Sequence, residues 1–140
     1  MKIMIFIEGT TFYTQFPIFL FSKYGYKPIG SAIGIANGWQ MQGYEIYLCS
    51  YVRNRRYKFI KQIIDFYGMK YTEILCREKE EQYSEIVERI KPDILIEDDC
   101  KSIGGQKEWC ITNVREKIKA GIRSIIVPEF RGIDDVKINQ

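Results

Sequence analysis

The chain opens on Met1-Lys-Ile-Met-Ile-Phe-Ile-Glu8-Gly-Thr-Thr11, a near-continuous apolar run that stops abruptly at a carboxylate, a glycine and two threonines. Such a run, rich in Ile and Phe and closed by Gly, reads as a strand buried on both faces, the kind found inside a parallel sheet covered by helices. In open parallel sheets the ligand crevice lies just beyond the carboxyl ends of the strands, so Glu8 and Thr10 are expected on its floor. The rest of the chain can be read for what gathers around that carboxylate.

Downstream, apolar runs and amphipathic stretches alternate. Residues 11–28 are crowded with aromatics and follow neither period; Pro17, Gly25 and Pro28 break them up. They read as an irregular flap over the crevice or as rings that cover the core. A glycine-interrupted helix is expected from Ile29 to Gln42, and Tyr44–Cys49 is a second strand ending at Ser50. An amphipathic helix over Asn54–Tyr67 places Tyr57, Ile60, Ile63, Ile64 and Tyr67 on one face and stops at Gly68. Tyr71–Cys76 is a third strand, and Glu80–Ile90 is a helix with Tyr83, Ile86, Val87 and Ile90 inward, ended by Lys91-Pro92. Asp93–Glu97 is a fourth strand that delivers Asp98-Asp99. Trp109–Thr112 reads as a short fifth strand, Val114–Ala120 as a weak helix, Arg123–Val127 as a sixth strand, and Glu129–Gln140 as a surface tail packed through Phe130 and Ile133. This alternation predicts one α/β domain over residues 1–140, a three-layer, doubly wound, mostly parallel sheet with right-handed crossovers.

The absence of histidine from the 140 residues removes Ser-His-Asp and Cys-His catalysis and any His-containing zinc site. The four cysteines, Cys49, Cys76, Cys100 and Cys110, form no CxxC pair and are read as reduced, small buried hydrophobes. No apolar run approaches the roughly 20 residues that span a bilayer, and no signal-peptide cleavage pattern follows the first strand, so a cytoplasmic protein is expected. A net charge of +3 is too small to argue for nucleic acid or an anionic membrane as partner.

Parallel strands would bring Glu8, Thr10, Ser50, Arg77, Lys79 and Asp98-Asp99 to one crevice. Carboxylates, a hydroxyl and a lysine suit a hard divalent cation and a phosphate between them. Three carboxylates so close would repel one another without a cation, which makes Mg²⁺ the expected cofactor, held by Glu8, Asp98 and Asp99.

In this order the residues resemble the haloacid dehalogenase (HAD) superfamily. Glu8-Gly9-Thr10 looks like the end of its first motif, an Asp-x-Asp-Gly-Thr after strand one, and Leu48-Cys49-Ser50 looks like the second. Lys79 looks like the third motif's lysine, and Ile94-Leu-Ile-Glu-Asp98-Asp99 looks like the acidic fourth. The resemblance implies a Rossmannoid HAD-like fold and a magnesium-dependent phosphohydrolase, with Ser50 and Lys79 orienting the phosphate. The departure is in the first motif. Aligned through Gly9-Thr10, Glu8 takes the acid/base position and Phe6 the nucleophile's; in the other register Glu8 is the nucleophile and Thr10 stands where the acid should be.

The flap is too short to be a cap domain, so the site is expected to be open, taking a phosphorylated small molecule or a nucleotide, or to be closed by a partner subunit in a homo-oligomer. Arg53, which begins a basic cluster with Arg55 and Arg56, is a candidate grip for a distal phosphate. Nucleic acid is not expected, since no aromatic platform can be placed beside that cluster. Two readings follow: a capless phosphohydrolase using Glu8, Thr10, Ser50 and Lys79, or a catalytically silent metal- and phosphate-binding or scaffold protein, favoured by Phe6.

Overall fold

The computed structural model of the chain describes residues 1–139. Strand β1 (Lys2–Phe6) lies at the centre of a five-stranded parallel sheet, between β4 (Glu45–Arg53) and β6 (Ile94–Asp98), with β5 (Glu73–Arg77) and β7 (Arg123–Val127) at the edges. The order is β5-β4-β1-β6-β7, and each neighbouring pair is parallel. A strand in the middle of such a sheet meets helices on both faces, which is why its sequence is apolar at nearly every position rather than at alternate ones.

The two faces carry separate cores. Ile3, Ile5 and Ile7 point to one face with Ile46, Leu48 and Ile96, under helices α1 (Ala32–Met41) and α2 (Tyr57–Tyr67). Met4 points to the other with Cys49 and Leu95, under α3 (Tyr83–Ile90) and the residues around Ile111 and Val114, with α4 (Glu116–Lys119) alongside through Ile118. The chain is therefore a three-layer, doubly wound α/β sheet, compatible with a Rossmann-like fold. Helix α2 has the expected face, with Ile60, Ile63 and Ile64 buried, and Gly68 ends it at φ +76°. Among the described residues no helix is long and apolar enough to cross a membrane.

Four expectations are corrected. Residues 11–28 are not an irregular flap: Phe12–Thr14 (β2) and Tyr26–Pro28 (β3) pair antiparallel, with two 3₁₀ turns between them. Strands of three residues are too short to reveal a period of two. Trp109–Thr112 is not a strand; Ile111–Asn113 is a 3₁₀ turn, because the N–H groups of Cys110 and Ile111 donate to the Glu97 carboxylate. The central sheet thus has five strands, not six. Strand β4 runs on past Ser50 to Arg53, with a register irregularity between the two, so Ser50 lies inside the strand. Helix α3 starts at Tyr83 rather than Glu80, whose φ of +65° is incompatible with a helix. In the C-terminal segment Ile133 is buried as expected, Ile138 joins it, and Phe130 is left 39% exposed.

The hairpin is fixed by one close approach. A Cβ at Gly25 would lie 2.2 Å from the backbone nitrogen of Phe19, so only glycine lets the 3₁₀ turns fold back before Tyr26. Gly25→Ala should therefore destabilise the protein by on the order of 1–3 kcal/mol, the usual range for overpacking. Urea unfolding checks this.

Candidate functional site

Glu8 follows the end of β1, and a tight turn built on Gly9 (φ +86°) folds the chain back into β2, with the Thr11 and Phe12 N–H groups both donating to the Ile7 carbonyl. The turn aims the Glu8 carboxylate along the sheet edge. Its Oε2 accepts from the Ser50 hydroxyl and the Tyr26 hydroxyl, each at 2.7 Å, and its Oε1 accepts from the Tyr51 N–H at 2.9 Å. Burial raises the Glu8 carboxyl above the ordinary range, and the hydrogen bonds from Tyr51, Ser50 and Tyr26 oppose that rise. Tyr26, fully buried, is itself held protonated, first by burial and then by the charge of Glu8.

On the neighbouring strand, Asp98 ends β6. Its Oδ1 accepts from Thr10 Oγ1 at 3.1 Å and its Oδ2 from the Cys100 N–H at 3.1 Å. A Cβ at Gly9 would come within 3.1 Å of Asp98 Oδ1, so the turn after β1 packs directly on this carboxylate. Glu8 and Asp98 share the wall of one cavity of about 290 Å³, together with Phe6, Tyr51, Tyr83 and Glu97.

One oxygen each from Asp98, Asp99 and Glu129 lies within 4.8 Å of the others. Burial raises the Asp98 carboxyl above its usual value, with the Glu129 charge adding to the rise. The ion pairs among the described residues, Lys61–Asp65, Arg89–Glu81, Arg115–Glu88 and Lys119–Glu116, all lie elsewhere. An all-oxygen set of three carboxylates without a countercharge matches what a hard divalent cation takes.

The expected site is thus only partly assembled. Glu8, Thr10, Ser50 and Asp98 come together; Ser50 and Thr10 are buried and reach the cavity through the carboxylates they hold. Glu8 does not join the acidic trio, and Glu129 takes its place there beside Asp98 and Asp99. Lys79 is not in the cavity wall: it lies with Arg53 in a separate surface depression, because the chain turns at Glu80 before α3 and puts Tyr83 into the wall instead. Two residues of the candidate site, Glu129 and Tyr26, escape the sequence reading. Glu129 follows the apolar strand β7 after a single proline, the same signature that exposed Glu8 and Asp98, but was read as the start of a surface tail. Tyr26 gives no such signal, since its role depends on a hairpin that the sequence does not announce.

No family model matches the chain, and no curated protein matches it. Solved structures do share its fold. A chain in the structure of the Pnkp1/Rnl/Hen1 RNA repair complex matches with a TM-score of 0.63 at 13% identity, over 91% of this chain and 43% of that one. A second structure of the Pnkp1/Rnl/Hen1 complex gives a TM-score of 0.59 at 12% identity, over 91% of this chain and 47% of its counterpart. The chain therefore spans less than half the length of these two relatives. At such identities the likeness concerns the course of the backbone.

Glu97 is a third carboxylate of the cavity wall. It is buried, and its two oxygens accept from the N–H groups of Cys110 and Ile111 at 2.7 and 3.0 Å. Burial outweighs these bonds and pushes its carboxyl up to about 7. The native state then keeps a proton that the unfolded chain has already released, so the group's favourable contribution is complete below the ordinary carboxyl range and lost as pH rises through about 7. In the presence of a chelator, melting temperature should fall between pH 5 and 8 in the wild-type protein, and Glu97→Gln should flatten that slope.

Proposed function

We propose that this chain is a HAD-like domain that binds a phosphorylated small molecule or a nucleotide together with Mg²⁺, and that it holds this ligand without the family's hydrolytic turnover. The observation that carries this reading is Phe6. It stands in the cavity wall where the resemblance places the nucleophile, its ring edge-on to Tyr83 with centroids 5.3 Å apart, and a phenyl ring cannot attack phosphorus. Glu8 is the other group that could serve, and both of its oxygens are already engaged by Ser50, Tyr26 and Tyr51. The HAD-like assignment itself is supported by the strand order and by acidic residues side by side at the ends of β1 and β6.

In this reading Asp98, Asp99 and Glu129 hold the cation, and Thr10 orients Asp98 by its hydrogen bond. Bound there, Mg²⁺ would neutralise phosphoryl oxygens and fix their orientation. Ser50 and Tyr26 keep the Glu8 carboxylate fixed in the cavity wall, outside the trio that would hold the cation.

A specific observation favours a second reading, the phosphohydrolase. Glu8 and Asp98 line the same cavity, so a carboxylate is available there to act as nucleophile or as acid/base once a substrate displaces one of its hydrogen-bond donors. Mg²⁺ titration by calorimetry and hydrolysis of an aryl phosphate separate the two. The binding reading expects Mg²⁺ to bind, Asp98→Asn to weaken it by roughly tenfold or more, and no metal-dependent hydrolysis. Metal-dependent hydrolysis that Glu8→Gln abolishes would replace it with the enzyme; failure to bind Mg²⁺ would overturn both.

A further inference from the structure

Arg53 and Arg77 face each other in register across β4 and β5, at the carboxyl end of the sheet. Like charges directly opposite on a ladder destabilise it unless something neutralises them. Lys79 and Arg55 join them around one surface depression, which Glu78 and Glu80 also line. Those carboxylates do not pair the cations. Glu78 Oε1 accepts from Asn54, and Arg53 Nη1 donates to the main-chain oxygen of Glu78 at 3.3 Å. None of the four cations belongs to an ion pair among the described residues. Arg77 Nε is buried with no hydrogen-bond partner, and the guanidinium lies 4.4 Å over the Tyr83 ring.

The depression adjoins the central cavity at two points. Tyr83, under Arg77, is part of the cavity wall. Tyr51, whose N–H holds Glu8, is also in that wall and stands two residues before Arg53 on β4. Two residues of strand cover about 7 Å, close to the spacing of successive phosphates along a nucleotide chain and within the span of a triphosphate.

We propose that Arg53, Arg55, Arg77 and Lys79 form a subsite for a second phosphate of the ligand whose first phosphate lies in the Glu8–Asp98 cavity. The inference rests on the phosphate reading of that cavity and narrows its ligand to one carrying at least two linked phosphates. An arginine with free N–H donors binds phosphate in a fork that a lone lysine does not provide. The opposed Arg53 and Arg77 supply two such forks.

Calorimetric titration with orthophosphate and with inorganic tripolyphosphate, in saturating Mg²⁺, tests the subsite on the wild-type protein and on Arg53→Ala/Lys79→Ala. Both substituted residues are exposed, so the fold is kept. Tripolyphosphate should bind at least about tenfold more tightly than orthophosphate, the double variant should lose about that factor, and salt should erode it. Equal affinities for the two anions, or a gain indifferent to the double variant, would overturn the subsite. ATP against AMP, and a 5′-phosphorylated dinucleotide against AMP, then identify the source: the pair showing the variant-sensitive gain carries the natural linkage, and neither showing it counts against the proposal. Asp98→Asn keeps the two readings apart. If orthophosphate binding ignores Asp98→Asn while the Arg53-dependent gain persists, the cavity reading fails and the basic site stands.

Discussion

The Glu8 carboxylate ties three segments that are otherwise far apart in the chain: the end of the central strand, the middle of β4 through Ser50 and Tyr51, and the hairpin through Tyr26. A carboxylate in so crowded a place costs several kcal/mol if left unpaired, so these donors are a condition of the fold rather than an embellishment. The neighbouring bond from Thr10 to Asp98 repeats the device across β1 and β6. Together they make the carboxyl edge of the sheet a polar seam held from within, and the cavity is the space that seam cannot close.

The seam also explains why the acidic residues are divided. Glu8 is engaged by hydrogen-bond donors, whereas Asp98, Asp99 and Glu129 face one another with main-chain N–H groups and hydroxyls as their partners: Cys100 to Asp98, Lys101 and Glu129 to Asp99, and Ser102 to Glu129. Such bonds orient carboxylates without cancelling their charge. One side of the cavity thereby carries the single carboxylate of Glu8 and the other gathers three, and the basic depression beyond Tyr83 adds a positive third region. A ligand spanning all three would be oriented by charge alone.

Most of the architecture is legible in the sequence because the central strands are buried on both faces and their helices are amphipathic. Ile60, Ile63 and Ile64 on α2, and the unbroken apolar stretch of β1, each carry one periodicity strongly enough to decide their element. What stays hidden is set by tertiary contacts. The 3₁₀ turn at Ile111 exists because Glu97 captures its N–H groups, and no local pattern in Trp109–Thr112 foretells that partner. The hairpin depends on Gly25 fitting against Phe19, and Lys79 leaves the cavity because of a single left-handed residue, Glu80. Glu8, Ser50, Thr10 and Asp98 were within reach of strand-end reasoning; Glu129 was equally so, but a proline between it and β7 disguised it as a tail.

The central placement of β1 has a consequence for how the chain acquires its shape. One flank of this strand is β6, and the contact of Lys2 with Asp93 joins residues 91 apart. Synthesis runs from β1 towards β6, so this apolar strand stays uncovered on that side until the residues of β6 have followed it. Parallel pairing over such separations is slow to form, which leaves the central strand open to self-association until the late strands arrive.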